Sequence, residues 1–337
     1  MLQYSGAIFL TEQEVLMKRL LSIGEAIVDM APSEKAYAIK DVEAFYPNAS
    51  GAPADVSGAY ARLGGPAGVI TQVGDDPFGD KIVESFGGYG IDTSMICRTR
   101  EAKTSLAFIS LKYDGGREFD FYRKPGADML FQPEKVEPKW FKDCFALQFG
   151  SVSLGDFPMK KAHRRAIDLA KENGAIISFD PNLRFTLWDD LAALRKAIWE
   201  FIPGTDILKV SDDELEFITA SANVNIAKQM FFDRGVKILL YTMGDKGMKA
   251  FTKTAYAEDP ARKVEVVDTT GAGDGSIGAF LYKLAEMGMT PDTLDSLTNE
   301  QLKECISFAN VFCALSVQKR GTISSYPTLE EVKACGL

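Results

Sequence analysis

The chain has 337 residues, 46% hydrophobic and 25% charged, and its 38 basic and 47 acidic residues leave a net charge of −9. That length supports a large core in one big domain or two modest ones, ordinary Gly and Pro contents exclude collagen-like and disordered classes, and the acidity argues against a nucleic-acid partner. One histidine, His163, excludes a His-rich metal centre, and five widely spaced cysteines with no C-x-x-C exclude a zinc or disulfide framework and fit the reduced thiols of a cytoplasmic protein.

Residues 1–16 lack the basic start of a signal peptide and read as an extension ahead of the fold. No apolar run reaches the roughly 18 residues of a membrane span, so no membrane partner is expected. Residues 20–28 (LLSIGEAIV) are apolar, contain β-branched residues and end at Asp29, which predicts a buried strand. Residues 37–46 and 105–113 are less uniformly apolar. Residues 117–123 (REFDFYR) alternate charged and aromatic side chains, the period of a half-exposed strand, and Asp114-Gly115-Gly116 suits a hairpin turn before them. These pieces predict a small sheet that covers something.

From about residue 127 the pattern changes. Short β-rich runs at 146–149, 175–179, 206–210, 237–242 and 264–267 alternate with helical stretches such as 160–173 and 191–201. Strand, helix, strand at this spacing predicts a mostly parallel sheet with helices on both faces. The expected α/β body takes residues 17–30, 47–100 and 125–337, and the β lid takes 31–46 and 101–124.

Ligands of open α/β sheets bind beyond the carboxyl ends of the strands. Four polar stretches fall there: Asp29, 180–184 (DPNLR), 211–214 (SDDE) and 242–247 (TMGDKG). Each also fits a plain helix N-cap. The strongest segment is 264–280 (VEVVDTTGAGDGSIGAF), a strand, a glycine-rich turn and a helix beginning near Asp274. Gly271 and Gly273 allow close backbone approach, and the helix start favours an anion. Asp274 is then either a helix-terminal charge or a base that takes a proton from a nucleophile attacking that anion. Gly273, Gly275 and Gly278 match G-x-G-x-x-G, but too little chain follows for a dinucleotide fold, and no P-loop motif occurs.

These residues resemble the PfkB, or ribokinase-like, carbohydrate kinases. The run 268–274 (DTTGAGD) resembles that family's C-terminal signature, and 48–65 (NASGAPADVSGAYARLGG) its N-terminal one. The segment 74–79 (GDDPFG) is also typical of the family, and within it 121–131 (FYRKPGADMLF), 149–154 (FGSVSL), DPNLR with its following LW, and 320–332 (RGTISSYPTLEEV) are most similar to fructokinases. The resemblance implies a three-layer ribokinase-like sandwich with a small β lid, and transfer of the γ-phosphoryl of ATP to a primary hydroxyl of a sugar.

By that resemblance Asp274 is the catalytic base, and Gly271, Ala272 and Gly273 supply an anion hole. Glu214 holds Mg²⁺ through water, and Asp268 and Thr270 belong to a K⁺ site. Lys209, Ser211, Thr242, Gly244 and Gly247 line the nucleotide, with Asn310 and Gly321 near adenine. Asp29, Gly51, Asp55, Arg123 and Arg184 are placed on the sugar. Two departures bear on substrate: Ser50 replaces a Gly and Asp55 an Asn. An ionised Asp55 would accept hydrogen bonds from a neutral sugar and repel a sugar acid, which favours D-fructose over 2-keto-3-deoxygluconate, although Arg123 and Arg184 keep the acid open. The intact Asp274 argues against a silent, merely binding family member. Lid aromatics Phe119, Phe121 and Tyr122 suit either packing within the chain or a homodimer formed lid to lid.

Overall fold

The computed structural model describes residues 17–35, 38–113 and 117–336. The expected extension at 1–16 and the turn at 114–116 lie outside the described residues.

The strands, in chain order, are β1 (Arg19–Ile23), β2 (Ile27–Pro32), β3 (Phe45–Ser50), β4 (Ala67–Gly74), β5 (Ile91–Asp92), β6 (Ile96–Thr99), β7 (Ser105–Leu111), β8 (Arg117–Tyr122), β9 (Cys144–Phe149), β10 (Ile176–Phe179), β11 (Ile207–Ser211), β12 (Ile238–Thr242), β13 (Met248–Phe251) and β14 (Tyr256–Asp259). The helices are α1 (Ala52–Arg62), α2 (Pro77–Gly88), α3 (Pro158–Glu172), α4 (Leu191–Phe201), α5 (Asp212–Thr219), α6 (Val224–Phe232), α7 (Ala272–Glu286), α8 (Asn299–Ser316) and α9 (Leu329–Lys333).

Among the described residues the main sheet runs β14-β13-β12-β11-β10-β9-β1-β4-β5, with β6 also on β4. It is parallel from β12 to β5 and antiparallel only at the β12-β13-β14 edge. Alternate residues of each strand enter opposite cores, as the two-residue period of a strand requires. Leu20, Ile176, Ile207 and Ile238 pack on the side of α1, α7 and α8; Leu21, Ile177, Leu208 and Leu239 pack on the side of α3, α4 and α6. The result is the expected three-layer sandwich. The second sheet has the order β3-β2-β7-β8.

Four expectations are corrected. Residues 20–28 do not form one strand. Gly24, at φ 153°, breaks the run, and its carbonyl accepts a hydrogen bond from Thr71 Oγ1 at 2.7 Å. The chain leaves the main sheet there, so β1 and β2 lie in different sheets. The run expected at 37–46 becomes a strand only from Phe45, after a short 3-10 turn at Ile39–Asp41. The expected strand at 264–267 is absent: Val266 and Val267 are 59% and 50% exposed, and the stretch is held by Val267 N and Asp268 N donating to Val317 O. β-Branched residues suit a strand but do not provide a neighbour to pair with. Finally, α7 begins at Ala272, two residues before Asp274.

Five strands escaped the sequence reading. The central β4 is buried throughout, but Thr71 and Gln72 interrupt its apolar run; Gln72 is satisfied by Ala127 O and by Lys135. β5 has only two residues, and β6, β13 and β14 have four each.

The second and third glycines of the G-x-G-x-x-G match serve packing. A Cβ on Gly275 would press on Phe312 and Tyr326, and one on Gly278 would sit 2.7 Å from both Ala59 Cβ and Val56 O of α1. Backbone cannot yield as a side chain can, so Gly278→Ala is expected to cost about 1–3 kcal/mol, the usual range for overpacking. Gly87→Ala in α2, where a Cβ meets nothing within 4 Å, should instead gain about 0.4–1 kcal/mol. Urea midpoints of the two variants check both signs.

Candidate active site

Strand order reverses around β1: the chain goes to β4 on one side and to β9, β10, β11 and β12 on the other. The crevice above such a point is where open α/β sheets bind ligands. A cavity of about 1120 Å³ lies there. Its floor comes from the ends of the main strands, through Glu25, Val152, Asn182, Arg184 and Lys209. Its roof is one face of the second sheet, read off as alternate residues: Ile27, Asp29 and Ala31 of β2, Tyr46, Asn48 and Ser50 of β3, Phe119 and Phe121 of β8. Gly51 and Asp55 enter at the start of α1, and Gly271, Gly273 and Asp274 at the start of α7.

The turn into α7 requires glycine at 271. Its φ is 73°, and a Cβ would lie 2.1 Å from Thr322 Cγ2. Gly51, at φ 139°, is equally constrained, since a Cβ would come within 2.5 Å of Glu25 O. Of the expected anion hole, Gly271 and Gly273 line the cavity, whereas Ala272 does not, and its N–H donates to Thr269 O at 3.2 Å. Asp274 is buried in the first turn of α7, and Asn182 Nδ2 donates to its Oδ1 at 3.0 Å. Asn182 holds the left-handed conformation, φ 46°, that turns its amide toward α7. Burial, reinforced by the charge of Asp180, pushes the Asp274 pKa up to about 7 against the pull of Lys209 and Arg184. A carboxylate poised there suits a general base at neutral pH.

The basic groups are largely committed. Lys209 Nζ donates to Asp180 Oδ2 at 2.5 Å. Burial works against its ammonium, but the charges of Asp180 and Glu214 outweigh it and hold the Lys209 pKa above the ordinary value. Arg123 is gripped by Asp128 through Nε, at 2.9 Å, and through Nη2, which also donates to Ser153 Oγ at 3.1 Å. Arg123 therefore reaches the cavity wall with its charge already compensated. Arg184 forms no ion pair among the described residues; its Nη1 donates to the adjacent Leu183 O. Glu25, Asp128 and Ser153 were missed in the sequence. Glu25 lay inside what read as a continuous strand, where a lone carboxylate in an apolar run was the available signal.

The remaining expected residues fall in two groups. Gly321, Asp268 and Thr270 line the cavity, and Asp268 accepts from Thr270 N at 3.0 Å, from Thr270 Oγ1 at 2.6 Å and from Gly321 N at 3.2 Å. Ser211, Glu214, Thr242, Gly244, Gly247 and Asn310 are not among the lining residues. Ser211 and Glu214 form the capping box of α5, and Glu214 Oε1 also accepts from Leu183 N at 2.8 Å, fixing the loop that presents Asn182. Thr242 Oγ1 donates to Val210 O, Gly244 opens a 3-10 turn, and Gly247 lets β13 approach Asp259 O. Asn310 ties α8 to Asp259. Among the described residues no cluster of three or more His, Cys, Asp or Glu could hold a metal ion. His163 is buried in α3, its pKa lowered to about 4 by burial, and takes no part in the site.

A profile described as pfkB family carbohydrate kinase matches residues 17–329. The chain belongs to that family. This carbohydrate kinase is 39% identical over 314 residues to a curated fructokinase-1 of Oryza sativa subsp. japonica, covering 93% of this chain and 96% of the relative. A crystal structure of a Xylella fastidiosa fructokinase with bound ATP superposes with a TM-score of 0.87 at 34% identity, covering 95% of this chain and 98% of that one. A Vibrio cholerae fructokinase double mutant with fructose, ADP and potassium ion has a TM-score of 0.83 at 27% identity, covering 94% and 98%.

If Asp274 is the base, Asp274→Asn lowers turnover by roughly 10²–10⁴-fold while substrate affinity stays near wild type. The same substitution removes a carboxyl whose folded pKa, about 7, lies above its ordinary value of 3.8. Such a group favours the folded state progressively less as pH rises from the unfolded to the folded pKa. The asparagine variant should therefore gain more thermal stability over wild type at pH 8 than at pH 5, and melting curves at both values measure it.

Proposed function

We propose that this carbohydrate kinase is an ATP-dependent fructokinase that converts D-fructose to fructose 6-phosphate. The observation that carries the reading is the Asp274 carboxyl, buried at the start of α7 with a near-neutral pKa, facing a polar cavity roofed by a second sheet. Asp274 takes the proton of the C6 hydroxyl as that oxygen bonds to the γ-phosphorus and the bond to the β-phosphate oxygen breaks, releasing ADP. The turn of Gly271 and Gly273 and the N-terminus of α7 offer backbone dipoles to the transferring group, and Lys209 adds a nearby positive charge. Mg²⁺, carried in on the ATP phosphates, would supply charge neutralisation, and Glu214, whose oxygens keep lone pairs beyond their backbone partners, is the residue that would hold it through water.

A 2-keto-3-deoxygluconate kinase is less well supported. A sugar acid needs a dedicated cation, usually a bidentate arginine; Arg123 is spent on Asp128, which leaves Arg184 as the candidate. Glu25, Asp29, Asp55 and Asp274 leave the wall rich in carboxyls, which suits the hydroxyls of a neutral sugar. The segments 31–46 and 101–124, with the strands they flank, act as the lid. Tyr122, on the face of that sheet away from the cavity, is 63% exposed, which supports lid-to-lid pairing of two copies. The loop of Asp268 and Thr270 supports a potassium site, by likeness to the potassium-bound relative. Free cysteines, and the lack among the described residues of any helix long and apolar enough to cross a membrane, fit a cytoplasmic enzyme.

The deciding measurement is kcat/KM on purified protein for D-fructose against 2-keto-3-deoxygluconate, with Mg²⁺·ATP. A higher value for fructose is expected, activity should vanish on chelation of Mg²⁺, and a preference for the sugar acid would overturn the assignment.

A further inference from the structure

Asp55 sits in the first turn of α1, 5% exposed, on the wall of the cavity. Its Oδ1 is buried and has no hydrogen-bond partner. No ion pair reaches it among the described residues. Of the cations on the floor of the cavity, Arg123 is paired with Asp128 and Lys209 with Asp180, while Arg184 donates to Leu183 O and forms no ion pair among the described residues. The groups that face Asp55 are instead mostly acidic: Asp274 from α7, Asp29 from β2, Glu25 from the β1–β2 connection and the Tyr326 phenol, with Arg184 the single opposing charge.

An ionised carboxylate at that place would be desolvated, unpaired and surrounded by like charge, which is among the costliest arrangements in a protein interior. A neutral carboxylic acid escapes all three penalties and gains an O–H donor beside its remaining acceptor. We propose that Asp55 works as a protonated carboxylic acid and donates its hydrogen bond to a hydroxyl oxygen of the sugar, so that it selects neutral, hydroxyl-bearing substrates as a donor rather than by repulsion. Burial first, then the charges of Asp274, Asp29 and Glu25, raise its pKa well above the ordinary value, in agreement with this geometry. The sequence-based expectation of an ionised, acceptor-only Asp55 is thereby replaced. The inference rests on the sugar-kinase reading for its ligand, but not for the protonation itself.

The test is an infrared difference spectrum between wild type and Asp55→Asn at pH 7, with and without D-fructose. We expect wild type to show a carboxylic-acid C=O band that the variant lacks, and fructose to shift that band. The isosteric amide also donates and accepts, so its Kd for fructose should stay within about threefold of wild type, whereas Asp55→Ala should lose about tenfold. A pair of carboxylate bands in place of the acid band would overturn the proposal, as would an acid band that no sugar of a panel shifts. An acid band shifted by another neutral sugar and not by fructose would uphold the role of Asp55 and overturn only the choice of fructose.

Discussion

The arrangement depends on the desolvation of carboxyl groups above the point where the strand order reverses. Glu25, Asp29, Asp55, Asp180 and Asp274 converge there from five different segments, and burial is the largest influence on each. Too few cations are present to neutralise them all. Arg123 and Lys209 each take one carboxylate outright, Asp128 and Asp180. The carboxyls left over have their affinities for protons raised. A group of ordinary acids thus holds its protons more tightly than in water, Asp274 with a pKa pushed up to about 7, without any histidine.

Positioning these groups falls to a small number of rigid junctions. Gly24 lets the chain leave the main sheet and build the roof, so that Glu25 and Asp29, four residues apart, face the cavity from floor and roof. Gly51 and Gly271 start α1 and α7 against backbone and side chains that no Cβ would clear. Gly278 then brings those two helices together closely enough that Asp55 and Asp274 share one wall. Glu214 acts from behind: by accepting from Leu183 N and Ser211 N it joins the loop after β10 to the start of α5. Asn182, held in that loop, meets Asp274.

The chemistry at 268–274 was legible because it is local. A glycine-rich turn and the helix start it opens are adjacent in the chain, and so is the acid they present. The alternating 117–123 segment was legible for the same reason, since a two-residue period shows in any six-residue window. The first strand misled because an apolar run says that a segment is buried, not which sheet it joins. The expected strand at 264–267 misled because β propensity carries no information about a pairing partner. Glu214 and Asn310 illustrate the same limit at single residues: both are polar groups whose partners in the fold, Leu183 N and Asp259, lie far away along the chain.

The sequence by itself determined the layered α/β class, through the spacing of apolar runs, and singled out Asp274 as the candidate base, through a motif seven residues long. It could not determine protonation or pairing. Whether Asp55 is charged, and whether Arg123 is available to a ligand, depend on groups scattered over more than two hundred positions that meet only when the sheet closes. Electrostatic energy falls with distance in space and with water content, neither of which is written along the chain. Only the tertiary structure brings those groups together.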